Sequence, residues 1–154
     1  MATAAVSVRP VGAADRDRWL AMRAALWPDA DGGELAAEAD AYLRGQGFML
    51  EAVFVATDPV GVLLGFAELS LRPYAEGCST SPVAYLEGWF VAPESRGHGV
   101  GRALVAAAER WGRARGCREF ASDALLDNSA SAKAHVALGF SEVEQIRCFR
   151  KPLS

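Results

Sequence analysis

The stretch 85–116, which reads YLEGWFV, APESRGHGVG, RALVAAAERWGRARG, constrains this chain more than any other. It predicts a buried strand, a glycine-rich turn and a long amphipathic helix. The turn, Arg96-Gly97-His98-Gly99-Val100-Gly101, opens the helix. Glycines there let the backbone take positive φ and approach a ligand with no Cβ in the way. The first N–H groups of a helix lack intrahelical partners and the helix dipole favours an anion beside them, so a pyrophosphate is the expected guest. A P-loop is excluded, because it needs Gly-Lys-Ser/Thr where this chain has Gly101-Arg102-Ala103. A dinucleotide-binding turn wants G-x-G-x-x-G with further βαβ units behind it. Here the glycines fall as G-x-G-x-G late in the chain. Glu119 stands near the distance of a ribose-binding acid, a weak signal in a charged segment.

The rest of the chain supplies a sheet and its helices. Val6 to Arg9 predicts a first strand, Asp15 to Trp27 a helix stopped by Pro28, and Glu34 to Arg44 a second helix. Phe48 to Thr57 and Leu63 to Leu71 predict a hairpin about the turn Asp58-Pro59-Val60-Gly61, and 72–82 a loop. Tyr85 to Val91 is the central strand and Gly99 to Arg115 the long helix. On the helix, Val100, Leu104, Ala107, Ala108, Trp111 and Ala114 recur at helical spacing. Glu119 to Asp123 predicts a strand, Ser129 to Leu138 a helix, and Val143 to Arg150 a closing strand. The expected class is α/β (α+β mixed sheet) in the order β-α-α-β-β-β-α-β-α-β, with helices on both faces.

At 154 residues, one domain spanning 1–154 is expected, large enough to bury a core. A net charge of −3 argues against nucleic acid as the main partner and suits a cationic substrate. Cys78, Cys117 and Cys148 are widely separated and odd in number, which predicts no disulfide framework, no metal site and a reducing, cytoplasmic location. Cys117 and Cys148 read as small buried hydrophobes. The start, MATAAVSVRP, lacks a basic n-region, so no secretory leader is expected, and no apolar run reaches membrane-spanning length.

Arg96-x-x-Gly99-x-Gly101, after a strand and before a helix, resembles the acetyl-CoA pyrophosphate loop of the GNAT superfamily of N-acetyltransferases. Asn128, followed by a helix ending in His135-Val136-Ala137-Leu138-Gly139-Phe140, resembles that superfamily's second motif. The blocks Leu26-Trp27-Pro28-Asp29, Thr80-Ser81-Pro82-Val83, Leu86-Glu87-Gly88, Phe120-Ala121-Ser122-Asp123, Asp127-Asn128 and Leu138-Gly139-Phe140-x-Glu142 are together similar to the aminoglycoside 6′-N-acetyltransferases. The resemblance implies a GNAT-like fold and an acetyl-CoA-dependent transferase acting on the 6′-amine of an antibiotic, with resistance as the consequence. It implies that Phe90 and Val91 give main-chain contacts to acetyl-CoA, that Arg96, Gly97, His98, Gly99, Val100 and Gly101 hold its pyrophosphate, and that Asn128 touches it. Within the loop the His98 side chain is expected to face solvent, and Asn128, just before the last helix, is also expected to cap it. It also implies a homodimer, with 143–150 a contact. A subgroup acid is replaced here by Ser79, with Glu76 nearby.

The transfer requires an amine to lose a proton, since alkyl amines are protonated at neutral pH. Asp123 and Glu87, at the ends of adjacent strands, are the candidates for binding ammonium groups and accepting that proton; as ordinary strand-end charges they would do neither. The resemblance gives the larger catalytic share to Asp123. His135 stands where most of the superfamily has a proton-donating tyrosine, and equally could be a packing histidine. Trp27, beside the acidic run Asp29 to Asp40, and Tyr74 are the aromatics expected to pack on a sugar ring, with a core role open for Trp27. No cysteine lies on the motif strand, so direct transfer in a ternary complex is expected. The alternatives are an acetyltransferase of another amine, such as a polyamine, and a non-catalytic acyl-CoA-binding module indifferent to loss of the Asp123 carboxylate.

Overall fold

A computed structural model describes residues 5–154; residues 1–4 of the start read for a leader lie outside it. The chain runs β1 (Ser7–Pro10), α1 (Arg16–Leu26), α2 (Gly32–Leu43), β2 (Ala52–Thr57), β3 (Leu63–Arg72), β4 (Val83–Val91), α3 (Val100–Ala114), β5 (Phe120–Ser122) and α4 (Ser129–Ala137). The strands form one sheet in the order β1-β2-β3-β4-β5. Pairings are antiparallel except the last, where β4 and β5 are parallel. The expected mixed sheet with helices on both faces is what forms.

Each face is sealed by one helical system. On α3, Val100, Leu104 and Ala108 repeat every fourth position and pack against Ala67, Leu69 and Leu86 of β3 and β4. Ala114, expected on that face, is exposed, because the helix ends there and its last turn clears the sheet. On the other face Trp19 and Met22 of α1 and Ala39 of α2 meet Val53, Val55, Phe66 and Phe90. Helix starts are fixed locally: the Asp31 carboxylate accepts from the Glu34 N–H at 3.0 Å to open α2. Asn128 accepts from the Ser131 N–H at 3.1 Å to open α4, as its capping role predicts.

β4 carries an irregularity that shapes the site. Glu68 pairs with Gly88 but Leu69 pairs with Leu86, so Glu87 is an extra, unpaired residue. Up to it, side chains alternate: Leu86 joins the core under α3. Beyond it, Trp89 packs on that same core and Phe90 on the α1 side. Glu87 and Gly88 therefore follow one another on the same face.

The closing strand expected at Val143 to Arg150 is a correction. Residues 141–154 form neither helix nor strand. Val143, Ile146 and Phe149 are 63%, 58% and 91% exposed. Their spacing puts apolar side chains on both faces of any strand, so no single face could be buried against this sheet. Cys148 is likewise exposed, not the small buried hydrophobe expected, while Cys117 is buried as predicted.

Candidate active site

The cofactor side is built where β4 and β5 part. Their pairing covers only Ala84 to Leu86 against Phe120 to Ser122, so among the described residues the β4 edge from Glu87 to Val91 has no strand beside it on that side. Backbone groups on the outer side of this edge are thus open to another extended partner, apart from the Val91 carbonyl, which Arg96 takes. From this edge the chain turns into α3. Gly97 and Gly99 sit at φ 78° and 85°, a region L residues rarely adopt, and open space surrounds both. Gly99 caps α3, leaving the N–H groups that follow aimed outward. Arg96 donates from Nε to the Val91 carbonyl at 2.9 Å, tying the loop to the strand end. The His98 side chain is exposed, as expected. An open strand edge ending in a positive-φ glycine loop and a helix start fits a thioester-bearing arm followed by a pyrophosphate.

The substrate side lies on the α1 face of the same strand. Glu87 receives the Ser70 hydroxyl at 2.6 Å, and Arg72 Nε and Nη2, each at 2.9 Å. The Arg72 guanidinium lies 3.6 Å from the centre of the Tyr85 ring. The Tyr85 hydroxyl donates to Asp123 Oδ2 at 2.7 Å. Glu87 and Asp123, named from the sequence as an acid pair, are thereby brought into one cluster. Burial pushes the Tyr85 phenol up, and the Asp123 bond and charge push it further, against the Arg72 charge. The bond to Glu87 raises the Arg72 guanidinium, with burial opposing it.

Trp27 closes the wall of this cleft. It leans on Gly88, where an added Cβ would stand 2.7 Å from Cη2. Its ring centre is 5.2 Å from the Arg23 guanidinium. Arg23 is buried: it bonds Glu68 at 2.9 and 3.0 Å, the Leu35 carbonyl at 2.6 Å and Glu38 at 2.9 Å. Trp19 Nε1 completes Glu68 at 3.1 Å. Tyr74 stands 65% exposed in the loop after β3, free of the packed wall. The acidic run beside Trp27 is partly spoken for, since Asp31 caps α2, Glu38 meets Arg23 and Asp40 binds Arg16.

His135 is packed edge-on between Trp89 and Phe140, each 5.1 Å away by ring centres. Its Nδ1 is 2.7 Å from the Ser131 carbonyl and so carries the proton, since that oxygen only accepts. Nε2 faces the Ser122 hydroxyl at 2.8 Å, at the point where β5 leaves β4. Both readings of this residue thus have a geometry: it packs, and it is wired to a hydroxyl at the opening.

Ser70, Arg72, Tyr85 and the Arg23–Glu68 pair escaped the sequence reading. A signal existed: Glu68, Ser70 and Arg72 are polar at every second position of an otherwise apolar strand. Glu119, considered as a ribose-binding acid, has a different post. Its Oε1 accepts from the backbone N–H of Ser79 and Thr80 at 2.9 and 2.8 Å, and from the Thr80 hydroxyl, anchoring the loop.

Comparison with known proteins follows the same outline. The profile of a family described as the Acetyltransferase (GNAT) family matches residues 17–140. An aminoglycoside N(6′)-acetyltransferase type 1 of Klebsiella aerogenes is 57% identical over 95% of this chain and 96% of its own length. Its namesake in Stenotrophomonas maltophilia is 43% identical over 99% and 97%. Among solved structures, AAC(6′)-Iy in complex with the bisubstrate analogue CoA-S-monomethyl-acetylneamine superposes with a TM-score of 0.87 at 40% identity, covering 97% of this chain and 99% of that one.

Proposed function

Since the chain belongs to the GNAT acetyltransferase family, we propose that it transfers the acetyl group of acetyl-CoA to the 6′-amine of aminoglycoside antibiotics and so confers resistance to them. The observation that carries this is the two-sided opening at β4, with the glycine loop beyond one end and the Glu87–Asp123 cluster with Trp27 on the substrate face. Relatives bearing the name aminoglycoside N(6′)-acetyltransferase support it.

Bound acetyl-CoA supplies a thioester carbonyl that an amine can attack. The loop 96–101 and the start of α3 hold its pyrophosphate, the Phe90 and Val91 backbone holds its arm, and Asn128 contacts it from the α4 cap. On the other side Asp123 accepts the proton of the 6′-ammonium, since its Oδ1 is not engaged by Tyr85. Glu87 binds a neighbouring ammonium and, with Trp27 and Tyr74, orients the sugar rings. His135 acts through the Ser122 hydroxyl on the cofactor side. No cysteine lies on β4, so the amine would attack the thioester carbon directly; as the C–S bond breaks, coenzyme A leaves as the thiolate and takes up the second proton the amine sheds.

In the same reading the protein is a homodimer in the cytoplasm. The exposed apolar residues Val143, Ile146 and Phe149 suit a second copy, and free cysteines suit a reducing compartment. No helix among the described residues is long and apolar enough to cross a membrane.

The test is to incubate the protein with acetyl-CoA and kanamycin, with a matched aminoglycoside carrying a 6′-hydroxyl as control. A one-acetyl mass gain on the first alone is expected. No gain on either, with acetyl-CoA still bound, removes the aminoglycoside and leaves another amine such as a polyamine.

A further inference from the structure

The acid cluster holds a cation of its own, which is unexpected in a cleft for polycations. Arg72 meets Glu87 through two nitrogens, a fork-to-carboxylate geometry that fixes both side chains. Its flat face rests 3.6 Å from the centre of the Tyr85 ring. That ring is buried, and its hydroxyl ends on Asp123. The charged and titratable groups that Arg72 and Tyr85 feel are one another, Glu87 and Asp123. Ser70 holds Glu87 from the third side. Two carboxylates in one cleft repel and would splay if left alone; here a guanidinium and a phenol, stacked on one another, hold one each.

We propose that Arg72 and Tyr85 form a single positioning unit for the acid pair, the guanidinium fixing Glu87 and the phenol fixing Asp123, so that disturbing either displaces both acids. The unit also assigns the free lone pairs: Glu87 accepts two bonds at Oε1 and one at Oε2, which keeps a lone pair of Oε2 for an ammonium, and Asp123 keeps Oδ1 for the substrate. This inference rests on the aminoglycoside reading above for its kinetic arm and on the free protein alone for its second arm.

The kinetic arm is a double-mutant cycle of Arg72→Gln and Tyr85→Phe, with Arg72→Lys as the conservative variant, read as kcat and KM for kanamycin. Each substitution is expected to lower kcat about tenfold, with acetyl-CoA KM unchanged. The double variant is expected to lie within about threefold of the worse single one, because residues acting as a unit are non-additive. Arg72→Lys keeps the charge but not the fork or the flat stack, and is expected to resemble Arg72→Gln. Losses that multiply, a change confined to KM, or parental kcat in Arg72→Lys overturn the proposal.

The second arm needs no substrate: ultraviolet titration of the chain's three tyrosines, Tyr42, Tyr74 and Tyr85. Asp123→Asn is expected to bring one phenol down toward the ordinary value of about 10, and adding Arg72→Gln to send it back up. Identical titrations in parent and variants overturn the stack. If the parent fails to acetylate kanamycin, the functional reading falls and this titration still decides the unit.

Discussion

Trp27 lies against Gly88 so closely that any side chain at position 88 must move the indole: an added Cβ would be 2.7 Å from its Cη2 and 3.0 Å from its Cζ2. Gly88→Ala is therefore expected to tilt the cleft wall without touching either acid. The aminoglycoside KM should rise about tenfold, in line with the 1–3 kcal/mol typical of overpacking. Acetyl-CoA KM should stay put. Steady-state kinetics with each substrate varied in turn checks this.

The Arg23–Glu68 pair is the second support of that wall, and both partners are almost wholly buried, at 3% and 1% side-chain exposure. Burial pushes the Glu68 carboxyl up, and the bonds from Arg23 and Trp19 oppose this only in part. Arg23→Met leaves a buried charge without its partner and is expected to cost about 3–5 kcal/mol in denaturant unfolding. Arg23→Met combined with Glu68→Leu should recover much of that loss, because the uncompensated charge is then gone.

Asp123→Asn is expected to lower kcat by about 10²- to 10⁴-fold, the range of a lost general base, with acetyl-CoA affinity intact. His135→Gln should lose less, about tenfold, since Ser122 remains in place to bond water or substrate. A larger loss at His135 than at Asp123 would reverse the roles given to the two ends of the cleft.

Gly99 sits at φ 85° as the cap of α3. Gly99→Val must either strain the loop by about 1–2 kcal/mol or abandon its shape. Calorimetric titration with CoA is expected to show about tenfold weaker binding, while aminoglycoside binding is unchanged.

Acid should loosen the fold by a defined route. The bond from Arg9 holds the Asp15 carboxyl below its ordinary range. The bond from Arg16 does the same for Asp40, and the Thr80 hydroxyl for Glu119. Carboxyls depressed in the folded state add stability above their unfolded values, near 4, and lose it as pH falls through the folded ones. Tm is thus expected to hold from neutrality to about pH 5 and to fall below about pH 4. Asp15→Asn should lower Tm at pH 7 and converge on the parent in strong acid.

Residues with a local signature were legible in the sequence. Gly97 and Gly99 announced a turn that only glycine makes easily, Asn128 announced a cap, and the apolar spacing of α3 announced its buried face. Asp123 and Glu87 stood out as acids at the ends of adjacent strands, and the structure puts them in one cluster and adds the partners that hold them. What stayed hidden depends on register. Nothing in Leu86-Glu87-Gly88 says that the strand slips by one residue there, so Arg72 and Ser70 could not be matched with Glu87, nor Gly88 with Trp27. The tail from residue 141 misled for the opposite reason: its β-branched and aromatic residues look like a strand, yet their phase supplies no face to bury.

The extra residue in β4 bears on how this enzyme can evolve. Because Glu87 and Gly88 follow one another on the same face, an acid and the seat of an aromatic wall come from neighbouring codons. Deleting Glu87 would restore regular alternation and leave every later β4 side chain on its present face, Phe90 included, but the acid would go with it. Substitution cannot reach that state by steps. Changes of antibiotic preference by single exchange are therefore expected at the α1–α2 junction and in the loop after Arg72, with the acid-bearing strand kept.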